Sequence, residues 1–392
     1  MTRAERSIDV LAVGGGVASV RCVRTLRRNG FSGSILLVGD EPHLPYNRPP
    51  LSKQALATDV PTDLLLVETP TWYERRSIEV LTGIRATSID RERHSVELED
   101  GARISYGRLL LATGATPRVP SIPGIEHGMV LRTFDDAARL RTATRPGVSA
   151  VIVGGGFLGV ETAAALAARG VEVTVVELGG ALWGGSLGES LSAWASRALG
   201  DLGISIRLNA AVTDVRPGAV IIGHESLAAD VVVLCVGVSP RDKLARASGI
   251  LCDDGIVTDA RHVTSDVAIL AAGDVARIEG RRVEHWHAAR EGGERAAFSL
   301  IGREPTTVRA PWIFSDFGDH HLDVVGAIVG DERTEVLEGA GSGPLAVAWV
   351  DRRDRVTQLA VTDRLADPEA CRGLIESGAK SAEVAHAIRP AN

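Results

Sequence analysis

The chain alternates between short apolar runs and segments whose apolar residues have helical spacing. An apolar run at 8–13 is followed by a helical pattern over 17–29 and a second apolar run at 34–38. Apolar strands that alternate with helices are typical of the parallel sheet of an α/β protein. About 140 residues further on, the chain repeats this order. The second unit has a strand at 149–153, a helix at 157–169 and a strand at 172–176.

The pattern differs in the segment between these two units. Alternating residues near 85–90, 94–98 and 102–105 predict a small antiparallel excursion, and 109–112 predicts a buried strand. Residues 115–126 contain three prolines, so we interpret them as a crossing between domains.

The second half of the chain adds a further unit of a different kind. Beyond the second βαβ unit, the pattern predicts helices at 188–200 and 287–301 and strands at 231–236 and 267–272. From Pro311 onward, alternation replaces the longer apolar runs and predicts a separate α+β unit. Its predicted elements are strands at 323–329, 344–350 and 356–362, followed by two terminal helices. A length of 392 residues fits two or three such domains.

Each βαβ unit contains a glycine turn between its first strand and its helix. The first turn is Gly14–Ser19, with the sequence GGGVAS, and the second is Gly154–Gly159, with the sequence GGGFLG. Missing side chains let the backbone approach a pyrophosphate, and the helix N-terminus offers free N–H groups and a positive dipole end. Two such turns predict two dinucleotides that exchange a hydride.

Composition excludes several other classes of protein. The formal net charge of −7 argues against nucleic acid or an anionic membrane as the main partner. The longest apolar runs fall short of the ~20 residues that a membrane span needs. The four cysteines are scattered, with no CxxC or CxxxxC pair, so we expect a reduced, cytoplasmic protein.

An acidic residue follows the second strand of each unit, where a dinucleotide fold binds ribose hydroxyls. Glu177 stands 23 residues after Gly154, and Asp40 is the better placed acid of the first unit. A carboxylate at position 177 would repel the 2′-phosphate of NADPH, so we expect NADH to be preferred.

A nine-residue segment identifies a family. Residues 45–53, PYNRPPLSK, resemble the PYDRPPLSK segment of the flavin-dependent NADH:ferredoxin reductases that serve Rieske dioxygenases and bacterial cytochromes P450. The resemblance runs in the correct order from about residue 8 to 320, and more loosely to the end. It also includes VGGGVASV (13–20), LLLATGATPR (109–118), LRTFDDA (131–137), VGGGFLGVE (153–161), AGDVA (272–276), Glu284-x-Trp286 and Pro311-Trp312.

The resemblance implies a glutathione-reductase-like α/β fold with two dinucleotide-binding domains and a C-terminal α+β domain. It implies an FAD-binding domain in two parts, 1–114 and 253–310, an NAD-binding domain at 115–252, and a C-terminal domain at 311–392. FAD would be held by Gly14, Gly16, Ala18, Asp40, Arg48, Lys53, Ala86, Thr113, Gly114, Arg132, Gly273, Asp274 and Trp286. Asp274 would accept a ribityl hydroxyl, and the helix after Trp286 would point its positive end at the flavin N1/O2 edge.

The same resemblance implies an NADH site in the second unit. Lys53, Glu161 and Trp286 would be the catalytic residues, with Lys53 and Glu161 near flavin N5, where they orient the nicotinamide. Hydride transfer itself needs no acid or base. The implied NADH set is Gly154, Gly156, Leu158, Gly159, Glu161, Glu177 and Gly237.

Two pairs of histidines lie outside these motifs. His285 and His287 flank Trp286, and His320 and His321 follow later in the chain. Neither pair has partners at the spacing of a metal site, so we expect ordinary polar histidines and no metal.

The sequence departs from the family pattern at several positions. The segment 178–185 has no arginine where the family holds the adenosine half of NADH, which suggests weak binding or stacking of adenine on Trp183. Ala288 and Gly292 replace an Asn and a Gln, Phe317 replaces a Gln, and Asn47 replaces an Asp. These changes bear on the flavin potential and the electron acceptor.

We therefore expect an FAD-dependent reductase that passes electrons from NADH to a [2Fe-2S] ferredoxin or a similar small carrier, which feeds an oxygenase. Residues 38–55 contain no cysteine, which disfavours disulfide reductases and cysteine-dependent NADH oxidases. Rubredoxin reductase and a cysteine-free NADH oxidase stay open. So does a flavin-binding redox-sensing or interaction protein like apoptosis-inducing factor.

Overall fold

The computed structural model describes residues 6–339 and 343–388, which form two compact units. The first unit contains the described part of Met1–Asn47, together with Pro61–Thr116 and Val238–Val308. The second unit contains Arg48–Val60, Pro117–Gly237 and the described part of Arg309–Asn392. Among these described residues, no helix combines the length and the apolar character that crossing a membrane requires.

The first unit is built on a seven-stranded sheet around the strand Arg6–Val13. Its parallel neighbours are Ile35–Val38 on one side and Arg103–Leu111 on the other. Arg103–Leu111 pairs antiparallel with Ser95–Leu98 along its first half and parallel with Ile269–Ala271 along its second half. The outer strands are Ile78–Leu81, beside Ile35–Val38, and Ala86–Asp90, beside Ser95–Leu98.

One strand of this sheet is longer than predicted. The sequence predicts separate strands at 102–105 and 109–112, but the structure has a single strand, Arg103–Leu111. The intervening residues keep their pairing, since Tyr106 and Arg108 both have Cα partners on the central strand. The predicted antiparallel excursion and the predicted first βαβ unit are both present.

The sheet of the first unit is covered by apolar side chains on both faces. Successive residues of the central strand alternate between two core clusters, with Leu11 and Val13 in one and Val10 and Ala12 in the other. This alternation follows from the two-residue period of a strand. The cluster containing Val10 is closed by the helices Val17–Arg28 and Trp286–Leu300.

Shorter elements complete the first unit. The strands Ile256–Thr258 and Ala276–Ile278 form a parallel pair. The remaining short elements are the helices Pro70–Glu74 and Lys243–Ala247, a 3₁₀ turn at Thr62–Leu65, and the strands Ala115–Pro117 and Val238–Pro240.

The second unit contains a five-stranded parallel sheet with Ser149–Val153 at its centre. The order across the sheet is Ser205–Arg207, Glu172–Val176, Ser149–Val153, Val231–Leu234 and Met129–Val130. The helix Phe157–Ala167 connects the two strands of the predicted βαβ unit. Its other helices and turns are Pro49–Ser52, Gln54–Ala57, Ile125–His127, Phe134–Ala143, Leu182–Gly185 and Gly188–Asp201. An antiparallel sheet of Val212–Arg216, Ala219–Ile222 and Glu225–Ala228 completes this part.

The C-terminal part of the second unit is a five-stranded antiparallel sheet with two helices, Pro368–Glu376 and Ser381–Ile388. Its order is Trp312–Phe317, His320–Gly326, Val356–Thr362, Ala346–Val350 and Arg333–Glu338.

The sequence missed both edge strands of this sheet, Trp312–Phe317 and Arg333–Glu338. Arg333–Glu338 contains exposed residues, and in Trp312–Phe317 the polar residues Ser315 and Asp316 interrupt the apolar ones, so neither strand has the apolar run that indicates a buried strand. The predicted strand at 323–329 begins three residues earlier, at His320, because the polar residues His320, His321 and Asp323 pair inside the sheet.

Gly293 gives a test of the packing in the first unit. A Cβ at this position of the helix Trp286–Leu300 would lie 2.1 Å from the carbonyl oxygen of Ala18. We expect G293A to lower the free energy of unfolding by about 1–3 kcal/mol through overpacking. Gly373 lies in a helix, and beyond its chain neighbours and the backbone of that helix no heavy atom of the described residues lies within 4 Å of its Cβ position, so G373A should instead raise that free energy by about 0.5–1 kcal/mol. Thermal and urea unfolding of the two holoenzyme variants measures whether the free energy of unfolding changes in opposite directions. A G293A protein as stable as G373A would contradict this packing.

Candidate functional site

The first glycine turn leaves a helix N-terminus open. Gly14 has a φ of +121°, and a Cβ there would lie 2.1 Å from the carbonyl oxygen of Ala112, so only glycine fits. Gly16 is the N-cap of the helix Val17–Arg28 and receives no side-chain cap from the described residues. Among the residues that the structure describes, none beyond its chain neighbours has a heavy atom within 4 Å of the Cβ position of Gly16. The first N–H groups of this helix are therefore available to an anion.

Asp40 lies just beyond the strand Ile35–Val38 and is paired with two arginines. Its carboxylate accepts a hydrogen bond from Arg241 at 2.5 Å and lies 3.8 Å from Arg85. Burial opposes ionisation of Asp40, but the two guanidinium groups outweigh it and hold the pKa of Asp40 below its usual range. Sequence reasoning missed Arg241, because its partner is distant in sequence and no motif marks it.

The turn at Gly273 meets the first glycine turn within the same unit. A Cβ at Gly273, which has a φ of +77°, would lie 3.1 Å from the Cβ of Ala18. The next residue is Asp274. Two motifs predicted for the FAD site, the first glycine turn through Ala18 and the AGDVA segment through Gly273, therefore come together in the first unit.

Trp286 begins the helix that the sequence predicts to point at a flavin. Its indole N–H donates to the Oδ1 of Asn47 at 3.1 Å, and the helix receives no side-chain cap from His285. Arg290 lies over the indole ring, with its Cζ 5.3 Å from the ring centroid. Asn47, the substitution for the family's Asp, thus fixes the Trp286 ring by a neutral hydrogen bond.

The remaining predicted residues of the first unit lie at strand ends. Thr113 donates through its Oγ1 to the carbonyl of Arg241 at 2.7 Å, and the Gly114 carbonyl accepts from the Arg241 N–H at 2.9 Å. Ala86 begins the strand Ala86–Asp90, next to Arg85. Arg48, Lys53 and Arg132, predicted for the same FAD site, belong to the second unit.

The second glycine turn repeats the geometry of the first. A Cβ on Gly154 would lie 2.4 Å from the Cys235 carbonyl oxygen, and a Cβ on Gly159 would lie 2.0 Å from the Gly154 carbonyl oxygen. Gly156 is the N-cap of the helix Phe157–Ala167, again with no side-chain cap from the described residues. Leu158 follows within the first turn of this helix. The turn therefore fits the pyrophosphate of a second dinucleotide.

Glu177 holds the loop beside this turn through its carboxylate. It accepts backbone hydrogen bonds from Gly155 at 2.6 Å and from Gly179 at 2.7 Å. Both bonds orient the carboxylate at the end of the strand Glu172–Val176, where the sequence predicts it. Gly237, at the end of a neighbouring strand of this sheet, accepts a hydrogen bond from the backbone of Arg118 at 2.9 Å.

The suggestion that Trp183 stacks on adenine is wrong for this conformation, because the indole is buried. Trp183 is 4% exposed, and its ring packs against Phe157 and Phe317 at centroid distances of 5.7 and 6.3 Å. Its φ of +60° is unusual for a bulky residue, so packing holds the backbone there. Phe317, the substitution for the family's Gln, completes this aromatic cluster together with Trp194.

Lys53 and Glu161 meet in the second unit, as the resemblance implies. Lys53 Nζ lies 3.4 Å from Glu161 Oε1 and 3.0 Å from Asp316 Oδ2. The Glu161 carboxylate also accepts hydrogen bonds from the hydroxyl groups of Ser52 at 2.5 Å and Ser315 at 2.7 Å. Burial raises the pKa of Glu161, and Lys53 together with the two hydroxyl groups counteracts part of that rise. The Lys53 ammonium also lies 4.5 Å from the centroid of the Phe314 ring.

The expectation that His320 and His321 are ordinary polar histidines is wrong for His321. Its Nδ1 lies 2.5 Å from Asp316 Oδ1 and its Nε2 lies 2.8 Å from Asp323 Oδ2. The two aspartates hold the pKa of His321 up at about 9. Sequence spacing could have suggested this, since His321 and Asp323 are two residues apart on a strand and therefore share a face.

Arg48 and Arg132 also come together in the second unit. The Arg48 guanidinium donates through Nη1 to the Arg132 carbonyl oxygen at 2.7 Å. This bond joins Arg48 to the loop that precedes the helix Phe134–Ala143. Two residues predicted for the FAD site from distant motifs are thus neighbours.

Comparison with known proteins agrees with this geometry. Residues 8–293 match the family model of the pyridine nucleotide-disulphide oxidoreductases. The benzene 1,2-dioxygenase system ferredoxin–NAD(+) reductase subunit of Pseudomonas putida is 35% identical over 333 residues, which cover 82% of this chain and 81% of that protein. The anthranilate 1,2-dioxygenase system ferredoxin–NAD(+) reductase component of Burkholderia cepacia is 35% identical over 381 residues, 94% of each.

A solved structure gives the same result for the fold. The covalent putidaredoxin reductase–putidaredoxin complex matches with a TM-score of 0.90 and 31% identity, over 95% of this chain and 93% of that one. The predicted fold class, a flavoprotein architecture with two dinucleotide-binding domains, is confirmed. The chain therefore belongs to the pyridine nucleotide-disulphide oxidoreductase family, and its relatives include the ferredoxin–NAD(+) reductase components of oxygenase systems.

Proposed function

We propose that this chain is an FAD-dependent NADH:ferredoxin reductase that passes electrons to a [2Fe-2S] ferredoxin or a similar small carrier of an oxygenase system. The observation that carries the proposal is the pair of uncapped glycine turns, each followed by an oriented carboxylate, Asp40 in one unit and Glu177 in the other. The names of the relatives support ferredoxin as the acceptor. We propose no role for nucleic acid or a membrane.

The cysteines support electron transfer over disulfide chemistry. All four are free thiols, and Cys22, Cys235 and Cys371 are buried. Burial raises the pKa of each of these three thiols above its usual value. A thiol without thiolate character is a poor nucleophile, so these groups are unsuited to a disulfide relay.

Within this proposal, each glycine turn binds the pyrophosphate of one dinucleotide. Gly14, Gly16 and Asp274 would hold FAD, which, when bound, supplies the ability to accept a hydride and to release electrons singly. Gly154 and Gly156 would bind the pyrophosphate of NADH, and Glu177 its ribose. Lys53 and Glu161 would orient the nicotinamide as a fixed pair of charges. Trp286 would limit access to the edge of the flavin.

The preference for NADH over NADPH follows from charge. The Glu177 carboxylate, fixed by two backbone N–H groups, would face the additional phosphate of NADPH at short range. The stretch 178–185 contains no arginine that could offset this repulsion. Because this arginine is missing, the adenosine half of NADH itself should also bind more weakly.

The domain division predicted from the sequence is part of the same proposal. We assign FAD binding to 1–114 and 253–310, NADH binding to 115–252 and a supporting role to 311–392. We also propose a cytoplasmic location, supported by the scattered, unpaired cysteines.

Anaerobic stopped-flow spectroscopy tests the function. The bound flavin should lose its visible absorbance rapidly with NADH and slowly with NADPH, and a [2Fe-2S] ferredoxin should then restore it. Rubredoxin or oxygen as the better oxidant would favour the rubredoxin reductase or oxidase alternatives. Slow reduction by both nucleotides would refute the enzyme and favour a redox-sensing protein.

Glu177→Gln tests the nucleotide preference. Removing the negative charge should reduce the NADH-over-NADPH ratio of kcat/KM by about tenfold or more, which corresponds to about 1.4 kcal/mol of lost discrimination. Glu172→Gln on the same strand is the matched control, since Glu172 is exposed at the strand's first residue. An unchanged ratio in E177Q would show that Glu177 does not discriminate between the two nucleotides.

Lys53→Met separates the structural from the functional role of the ion pair. We expect K53M to lose about 3 kcal/mol of stability, because it leaves the Glu161 carboxylate buried without its cation. The double variant K53M/E161Q should recover most of that stability, since the neutral amide can accept a hydrogen bond from one serine hydroxyl through its oxygen and donate to the other through its NH₂ group. In both variants, NADH should reduce the flavin slowly. If the double variant reduced the flavin at the wild-type rate, the pair would have only a structural role.

A further inference from the structure

His321 lies between two carboxylates on one face of the C-terminal sheet. Its strand, His320–Gly326, pairs antiparallel with Trp312–Phe317 so that His321 stands directly opposite Asp316. Asp323, two residues along the same strand, faces the other ring nitrogen. The imidazole is thus held at both nitrogens by acceptors on two strands.

This geometry fixes the protonation of the ring. An ionised carboxylate can only accept a hydrogen bond, and a neutral imidazole has a single N–H. Both contacts, at 2.5 and 2.8 Å, are satisfied only when each ring nitrogen carries a proton. His321 is therefore an imidazolium in this arrangement.

Asp323 is an anchored end of this arrangement. It is 2% exposed, and its other oxygen accepts the indole N–H of Trp312 at 2.8 Å. A buried carboxylate with a single tightly bound cation has little freedom to move. Asp323 therefore fixes the position of the His321 ring.

The opposite end of the arrangement reaches the proposed catalytic pair. Asp316 accepts from His321 through Oδ1 and from Lys53 through Oδ2 at 3.0 Å. Lys53 in turn lies 3.4 Å from Glu161. Charges alternate along the row from Asp323 through His321, Asp316 and Lys53 to Glu161.

We propose that His321 is a positioning residue for the NADH reaction: held by Asp323, it fixes Asp316, which in turn holds the Lys53 ammonium against Glu161. This role rests on the proposed function. Without the His321 cation, Asp316, whose side chain is 41% exposed, is free to turn toward solvent and to draw Lys53 away from Glu161.

Several groups from neighbouring elements surround the ring. Besides Asp316 and Asp323, Asp363 accepts the backbone N–H of His321 at 3.1 Å and approaches the His320 ring at 3.2 Å. Cys371 approaches Asp323 from the helix Pro368–Glu376, and burial with that carboxylate raises the pKa of its thiol. Within the described residues, no group of histidine, cysteine and acidic side chains is arranged to hold a metal ion.

The arrangement that holds His321 between Asp316 and Asp323, called the clamp from here on, has a defined pH dependence. Hydrogen bonds to Asp316 and Asp323 raise the pKa of His321 to about 9, above its ordinary value of 6.5. A raised pKa in the folded state means that the stabilisation is fully present below about pH 6.5 and is lost as the pH rises through about 9. The positioning of Lys53 should fail over the same alkaline range.

NMR of the holoenzyme labelled with ¹³C at histidine Cε1 tests the clamp without any catalytic assay. One resonance, absent from H321Q, should titrate near pH 9 in the wild type and at a lower pH in D323N. A His321 resonance that titrates near its ordinary 6.5 would overturn the clamp.

Single-turnover reduction of the flavin by NADH between pH 6 and 10 tests the positioning role. The wild-type rate should fall along an alkaline limb centred near pH 9. D323N should shift that limb to lower pH, and H321Q should abolish it and lower the rate at pH 7 by about tenfold or more. H320Q is the matched control, because it removes the neighbouring imidazole, paired with Asp363, and should leave rate and limb unchanged.

The two experiments distinguish the possible failures. If NADH does not reduce the wild-type flavin, the proposed function is wrong and the positioning role falls with it, while NMR still decides the clamp. If the wild type is reduced but D323N and H321Q keep the wild-type profile, the positioning role alone is wrong. Should H321Q fail to fold, D323N and the wild-type titration still decide the question.

Discussion

The buried ammonium group of Lys53 is the constraint on which the second unit depends. A cation that is 11% exposed needs anions within reach, and Glu161 and Asp316 meet that need from a helix and a strand that are far apart in sequence. Glu161 is equally buried and needs the cation in return. The helix Phe157–Ala167, Lys53 and the strand Trp312–Phe317 are therefore held in one arrangement by mutual neutralisation of charge.

The two glycine turns share one geometry but differ in what surrounds them. In the first unit, the guanidinium groups of Arg241 and Arg85 orient the Asp40 carboxylate. In the second unit, Glu177 is oriented by backbone N–H groups alone and keeps its negative charge unopposed by a neighbouring arginine in 178–185.

Sequence patterns predicted the elements whose residues are buried and apolar. The strands at 8–13 and 149–153 and the glycine turns followed from runs and motifs, and the Lys53–Glu161 pair was implied by the family resemblance. The edge strand Trp312–Phe317 was missed because its residues serve two purposes: Ser315 and Asp316 bind charged groups instead of filling a core. His321 was misjudged for a related reason. Asp323 shares a face with His321 on one strand, but Asp316 becomes its neighbour only through strand register, which spacing alone does not define. Trp183 was suggested as an adenine contact because 178–185 lacks an arginine, but packing buries its ring.

The central claim is that NADH delivers a hydride directly to the flavin in a site organised by Lys53 and Glu161. Anaerobic single-turnover reduction with NADH deuterated at the transferred C4 position tests it most directly. The account predicts rapid loss of flavin absorbance with NADH, a primary isotope effect on that loss for the wild type, and a matching appearance of reduced [2Fe-2S] ferredoxin when the carrier is added. Flavin that stays oxidised on the timescale of ferredoxin reduction would contradict it.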